Sequence, residues 1–465
     1  MINYDLKSNP MPELKPEERT QSFDEVCLGY TEDMAVREAM RCLRCRKKPC
    51  MIKGCPIHMN IPEFVARVAE GDFEAAYEII SGISCLPSVC SRVCPHEDQC
   101  EGSCVRGAFG QPVAIGRLER YVCDRHKAMS GAASEKAPER NGHKVAVIGA
   151  GPAGISCASR LADKGYDVVV YEAADHAGGV LYYGIPQFRL PKQIVDSEIA
   201  KLEAKGVRFV LGSAAGSGFT VDELLEKEGF EAAFMGTGAD VPYEISIPGD
   251  KLKGVYSANS FLAQVNTATA QGNEQMPAMQ GGTAVIVGGG NVAMDAARCA
   301  RRIGADNVSI LYRRSRNEMP ACDAEIKEAE DEGISFSFLT NPVAIQGDAE
   351  GKVCGIEVVD MQLGETDASG RRRPVEVNGS NHVIPAALVI LAIGTRPDEK
   401  IARAAQKLSL DASGRIIADE DTATCRPEIF AGGDAVTGPD TVVRATRAGM
   451  RAAQSIDRLL TADNS

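Results

Sequence analysis

The order of apolar and polar positions splits the chain in two. Up to Asp124, apolar residues recur at helical spacing between loops rich in Cys, Pro and Gly. Thr31, followed by Glu32 and Asp33, predicts a helix start, because its hydroxyl caps free amides and the acids suit the positive helix end. That helix is expected to run into Cys42 and Cys45. Asn60-Ile61-Pro62 and Gly71-Asp72 each open a further helix. From Lys144 the pattern changes to short β-branched runs, glycine turns and helices, the signature of parallel α/β units. It occurs twice, as Lys144 to Ile148 with Asp167 to Tyr171, and as Ala284 to Val287 with Asn307 to Tyr312. The small, polar stretch Ser130 to His143 reads as a linker, which puts a boundary near residue 140.

With 465 residues, there is length for about three domains, each with its own core. The net charge of −13, without a dense basic run, argues against nucleic acid as a partner. Met1 to Arg19 is polar, unlike a signal peptide, and the longest apolar run, Ala386 to Ile393, is too short for a bilayer. A cytoplasmic protein with no membrane attachment is expected. Eleven of the 16 cysteines fall before residue 124. In a reducing compartment such crowding points to metal binding rather than disulfides.

The cysteines have ligand spacing. Cys42-x2-Cys45-x4-Cys50-x4-Cys55-Pro56 is followed by Cys94-Pro95, Cys100 and Cys104. Short loops of this kind present several thiolates to one centre, and proline after the last cysteine of a run is a feature of bacterial ferredoxins, where that cysteine serves the other cluster. Zinc is the rival, but seven thiols are too many for one tetrahedral ion; two zincs remain the residual alternative. For two 4Fe-4S clusters the seven fall one ligand short. Cys90 and Glu119 are the candidates for the eighth, and the chemistry of the residues alone does not choose between them. Cys27, Cys85 and Cys123 lack partner spacing and read as small buried hydrophobes. His58, His96 and His126 read as surface or cap residues.

The first α/β unit carries Gly149-Ala150-Gly151-Pro152-Ala153-Gly154 after a strand, and its second strand ends at Glu172. Gly149 permits the tight turn, Gly151 admits a pyrophosphate to the backbone, Gly154 lets helix pack on strand, and Glu172 accepts ribose hydroxyls. The second unit has Gly288-Gly289-Gly290-Asn291-Val292-Ala293, and Arg313-Arg314 stand where a ribose-binding acid would sit. An arginine pair there suits a 2′-phosphate, so NADPH is expected over NADH. Ile429 to Asp434, with Gly433 beside the acid, reads as a strand ending in a carboxylate, and a helix from about Thr441 points its amino end at an electron-rich ring. Together with the first unit this makes a flavin site.

These motifs, together with Arg41-Cys42-Leu43-x-Cys45, Gly54-Cys55-Pro56, Arg92-Val93-Cys94-Pro95, Gly178-Gly179-x-Leu181 through Gly184-Ile185-Pro186, and Tyr312-Arg313-Arg314 through Met319-Pro320, carry a resemblance. Nearly the whole chain resembles the small (beta) subunit family of NADPH-dependent glutamate synthase, which includes the large subunit of the ferredoxin–NADP bifurcating transhydrogenase. The resemblance implies two 4Fe-4S clusters, one on Cys42, Cys45, Cys50 and Cys104, the other on Cys55, Cys94, Cys100 and Glu119. It places FAD on Gly149, Gly151, Gly154, Glu172, Gly179, Leu181, Asp434 and Val443. The fold class is α/β: a helical iron–sulfur domain (1–140), then two Rossmann-like domains, the NADPH domain (244–396) inserted into the FAD domain (141–243 and 397–465).

The function expected is transfer of electrons from NADPH through FAD and the clusters to or from a partner subunit. The partner is a glutamate synthase large subunit or, in the alternative, a ferredoxin–NAD reductase subunit of an electron-bifurcating transhydrogenase, with ferredoxin as a further candidate. No catalytic acid or nucleophile is required. Cys299, Cys322 and Cys354 are isolated, against a disulfide reductase, and no amidotransferase segment is recognisable.

Overall fold

A computed structural model describes residues 3–130, 138–272, 279, 281–367 and 370–462. Half of the expected linker, residues 131–137, lies outside the described residues.

The first part is helical. Glu32–Ala39 starts on Thr31, whose hydroxyl accepts from the Met34 N–H at 3.4 Å. It stops at Ala39, short of Cys42, so the first two cysteines sit on a loop rather than on the helix. Ile61–Glu70 has Pro62 in its first turn and closes on Gly71 at φ +79°. Phe73–Ile83 is capped by Asp72, which accepts from the Ala75 N–H at 3.2 Å. Pro87–Val93 and Ile115–Ser130 complete the set. Phe64, Val65, Val68, Ile80, Leu118 and Val122 are fully buried in one core, each such side chain contributing about 1.5–3 kcal/mol.

Two all-parallel five-stranded sheets follow. The first runs Ile429–Ala431, Ala232–Met235, Lys144–Ile148, Asp167–Tyr171, Arg208–Val210. The second runs Val255–Ser257, Leu388–Leu391, Thr283–Val287, Asn307–Tyr312, Ser335–Phe338. The chain leaves the first sheet after Met235 and returns at Ile429, and the outgoing Val241–Pro242 pairs antiparallel with the incoming Thr395–Arg396. Both strand pairs foreseen from the sequence are present, in register from Lys144↔Asp167 and Thr283↔Asn307. A four-stranded antiparallel sheet, Thr340–Gly347, Val353–Thr366, Arg372–Glu376 and His382–Pro385, was not foreseen. Its shift of register at Pro342/Ala344 and its exposed outer strands blur the alternation that would announce it.

The helix Val442–Ala462 packs on Pro152–Asp163. A side chain at Gly449 would collide with the Ala153 carbonyl, so the two backbones touch. The helical part meets the first sheet through Leu86, Val89 and Cys90, which share a core with Val145, Ile155 and Ala452.

Candidate functional site

The cysteine loops are bent by backbone that ordinary residues avoid: Arg44 and Lys48 have φ +48° and +42°. A single π turn, Cys50–Gly54, then separates Cys50 from Cys55. The Gly54 position is closed, since an added Cβ would lie 2.6 Å from the Gln99 carbonyl, and this seats the Cys55 loop on the Cys100 loop.

The thiols gather in two groups. Burial pushes Cys50 up to about 12, with Cys104, Cys42 and Cys45 as like-charged neighbours; Cys42 is raised by burial with Cys104 and Cys45 beside it. In the other group, burial lifts Cys55 to about 11 beside Glu119 and Cys90. Cys94 is raised by a hydrogen bond to Cys90 and then by burial, with Glu119 and Cys100 near. Cys100 is raised by burial, with Glu101, Cys55 and Glu119 near. Glu119 is itself lifted to about 8, by burial alone. Its carboxylate has no hydrogen bond or ion pair among the described residues. Ionised together these groups would repel one another, whereas a bound cation would favour their deprotonated forms, so the chemistry of both donor sets suits a metal centre. Cys90 lies in the second group as well, beside Cys55 and Cys94.

The glycines of the first loop do three different things. Gly149 has φ +100°, and a Cβ there would lie 2.6 Å from the Gly236 carbonyl. At Gly154 a Cβ would collide with the Gly149 carbonyl, the close helix–strand approach. At Gly151 a Cβ meets nothing within 4 Å, which leaves room for a ligand against the helix Pro152–Asp163. Pro152 and Ala153, buried, form the first turn of that helix. Glu172 steadies the loop: the Ala150 N–H donates to Oε2 at 2.7 Å and the Ala174 N–H to Oε1 at 2.9 Å. Gly179, at φ +53°, presses on Gly151, with Leu181 fully buried behind it.

Across the sheet, Gly433 has φ +68° and turns the chain into Asp434, whose carboxyl burial lifts to about 7. The Asp440 N–H donates to Asp434 Oδ1 at 3.2 Å. The Thr441 Oγ1 is buried without a hydrogen-bond partner among the described residues, one residue before the helix that carries buried Val443. An orphaned hydroxyl at a helix amino end and an open Gly151 fit a large polar cofactor. A cleft of about 490 Å³ runs from Gly54, Cys55 and Pro56 to Gly432 and Gly433, with Arg444 and Arg447 on its wall.

In the second loop Gly288 has φ +144°, and a side chain there would strike the Ala392 carbonyl, while Gly290 is nearly free, with only Pro320 Cγ at 3.9 Å. Asn291 Oδ1 accepts from the Cys322 N–H at 2.9 Å, tying the loop to Met319–Cys322. Val292 is exposed and Ala293 buried. The arginine pair divides: Arg313 is exposed, whereas Arg314 is buried, ion-paired to Asp367 at 2.8 Å and donating to the Arg372 carbonyl at 2.8 Å.

Residues 143–449 match the family model described as pyridine nucleotide-disulphide oxidoreductase, and residues 19–131 match dihydropyrimidine dehydrogenase domain II, 4Fe-4S cluster. The Escherichia coli glutamate synthase [NADPH] small chain is 38% identical over 97% of this chain and 97% of that one. The chain belongs to the glutamate synthase NADPH small-chain family. The putative oxidoreductase AegA of Escherichia coli is 40% identical over 95% of this chain and 68% of that protein. The fold matches Mycobacterium tuberculosis FprA in complex with NADPH, with a TM-score of 0.59 and 22% identity over 69% of this chain and 85% of that one.

As a glutamate synthase small-chain homologue, the protein is an oxidoreductase with a pyridine-nucleotide domain of FAD type behind a 4Fe-4S domain. Cys299, Cys322 and Cys354 are free and sit on different elements, so they form no redox pair. Among the described residues no helix is long and apolar enough to cross a membrane. His96 departs from the surface reading: its ring packs under Gly116 and its Nε2 is buried without a hydrogen-bond partner among the described residues. Lys192, buried below the Gly179 loop, was missed, because one lysine after a proline gives no sequence signal of burial.

Proposed function

We propose that the protein is the electron-input subunit of a glutamate synthase in the cytoplasm, drawing electrons from NADPH for a large partner subunit that performs the chemistry on glutamine. FAD would lie on the first glycine loop, NADPH on the second, and two 4Fe-4S clusters on the two donor sets. The observation that carries this is the second donor set, in which a buried carboxyl with no ion-pair partner among the described residues stands near three thiols. When bound, the flavin accepts a hydride and the clusters take electrons one at a time.

The chain's own residues supply the rest. Gly151 leaves its backbone open to a pyrophosphate at a helix amino end, Glu172 offers its remaining lone pairs to ribose hydroxyls, and Thr441 Oγ1 offers an unused hydrogen bond. Asp434, raised by burial, holds a proton at its carboxyl near neutral pH and so can donate to a hydroxyl of the cofactor. Arg313 faces outward where a 2′-phosphate would arrive. We assign the domains as 1–140, 141–243 with 397–465, and 244–396.

The two donor sets differ in their contact with the first sheet. Cys94 and Cys90 pack in the core shared with the first sheet, and Cys55 lines one cleft with Gly433. Cys42, Cys50 and Cys104 pack in the helical part's own core, which Cys55 and Cys100 share. Cys55, Cys94, Cys100 and Glu119 would hold the centre beside the first sheet, and Cys42, Cys45, Cys50 and Cys104 the other; a cluster held at either set would supply one-electron chemistry.

Anaerobic purification tests this: the expected result is a yellow-brown protein holding FAD and eight irons per chain, two reduced-cluster EPR signals, and bleaching by NADPH. Zinc in place of iron, or a flavin indifferent to NADPH, would overturn it. Stoichiometric co-purification of an amidotransferase large subunit supports the glutamate synthase assignment; a ferredoxin–NAD reductase subunit would replace it.

A further inference from the structure

Between the two glycine loops runs a segment that neither nucleotide site absorbs, Gly184 to Lys192. Its far end holds the first site. Lys192 is 2% exposed, and its Nζ donates to the Leu181 carbonyl at 3.0 Å and to the Ile185 carbonyl. This clasps the short helix Val180–Tyr183, which begins at Gly179. The Lys192 N–H donates to Gln187 Oε1 at 2.8 Å and closes the turn between them.

Its middle holds the second site. Phe188 is fully buried beneath two guanidinium groups, Arg298 at 4.5 Å and Arg302 at 3.9 Å from the ring centre. Arg189 pairs with Asp295 at 2.8 Å and with Glu325 at 2.6 Å. Asp295, Arg298 and Arg302 all stand on Asn291–Arg302, the helix that opens at Gly290. The ladder continues from Arg298 to Glu328 at 2.6 Å and Glu332 at 2.8 Å, and from Arg302 to Glu332 at 2.6 Å. Arg19 of the N-terminal segment reaches the same Glu332 at 3.1 Å.

Buried ion pairs add little net stability, because desolvation offsets their attraction, but removing one partner strands the other. What a network of this kind does is fix geometry. Here it fixes one nucleotide-binding helix against the segment that clasps Leu181, and both anchors lie within five residues, Phe188 to Lys192, of a single strut.

We propose that Arg189 is a positioning residue for hydride transfer: by holding the helix Asn291–Arg302 to the strut that clasps Leu181, it sets the approach of the nicotinamide to the flavin ring. This rests on the reading that FAD and NADPH occupy the two glycine loops. In the step concerned NADPH gives up a hydride, two electrons and one proton, to oxidised FAD, leaving NADP⁺ and the reduced flavin anion. A displacement of about 1 Å in such a step costs on the order of 100-fold in rate.

The test is anaerobic stopped-flow reduction of the holoprotein by NADPH, in wild type and in Arg189→Met, Arg189→Lys and Glu325→Gln. In Arg189→Met the limiting rate of flavin bleaching should fall on the order of 100-fold. FAD content, the EPR of both clusters and the NADPH dissociation constant should stay within about twofold. Arg189→Lys should recover part of the loss, since it keeps the charge without the fork. Glu325→Gln, which removes charge without volume, should slow bleaching about tenfold and carries the test if Arg189→Met does not accumulate. Combined with Arg189→Met, it should add no further loss. Bleaching of both single variants at the wild-type rate, or a loss that only tracks lost FAD or NADPH binding, would overturn the proposal. A wild-type flavin that NADPH does not bleach would instead overturn the underlying reading, and this proposal with it.

Discussion

The Arg314 guanidinium lies 2.8 Å from the Asp367 carboxylate, at the end of the strand where a dinucleotide site distinguishes its ribose. Of two adjacent arginines, one is therefore already spoken for. Arg313→Ala should raise KM for NADPH at least tenfold with kcat nearly unchanged and KM for NADH little affected, as loss of a charge-assisted bond of about 1.5–3 kcal/mol requires. Arg314→Ala should cost less NADPH affinity than Arg313→Ala. The ratio of kcat/KM for the two nucleotides is the measurement, and a larger loss in Arg314→Ala would reverse the assignment.

Glu119 and Cys90 compete for one role. Glu119→Ala should halve the iron per chain and remove one EPR signal, while Cys90→Ala keeps both signals. Loss of a signal in Cys90→Ala alone would make Cys90 the eighth ligand.

The two glycines Gly151 and Gly154 should respond differently to one added methyl group. Gly154→Ala drives a methyl into the Gly149 carbonyl and should destabilise the fold by about 1–3 kcal/mol or prevent its accumulation. Gly151→Ala meets no protein atom within 4 Å, so its melting temperature without flavin should match wild type while FAD affinity falls. Differential scanning calorimetry of flavin-free protein and FAD titration separate the two effects.

Asp434 gives a pH signature. Burial lifts its carboxyl from an ordinary 3.8 to about 7, so the folded chain keeps a proton there that the unfolded chain releases. Its contribution to stability is full below pH 4 and is lost as pH rises through about 7. Asp434→Asn, which stays neutral, should therefore gain on wild type between pH 5.5 and pH 7.5 in thermal unfolding of the flavin-free protein. An equal difference between variant and wild type at both pH values would contradict this.

The sequence revealed what depends on neighbours in the chain. Gly149, Gly151 and Gly154 sit five residues apart or less, and Cys42 to Cys55 within fourteen, so spacing alone announced turns and ligand loops. The strut and its ion pairs were not legible, because Arg19 and Glu332 meet only in the fold. In sequence, Arg298, Arg301 and Arg302 look like the solvated face of a helix; the structure buries Arg298 completely against acids of a later helix. Arg314 misleads in the same way, since Asp367 arrives from a hairpin the apolar pattern did not announce.

Val442–Ala462 lies against Pro152–Asp163 so closely that Gly449 admits no side chain, and Ile429–Ala431 completes the sheet begun at Lys144. On a ribosome, the helical cysteine domain and the strands of the second sheet are all synthesised before these segments. Synthesis at about 5–20 residues per second leaves an interval of roughly 15 s to a minute between the first glycine loop and its covering helix. The last helix is thus the final wall of two parts of the molecule at once, since it covers the first glycine loop and also packs in the core that holds Cys90.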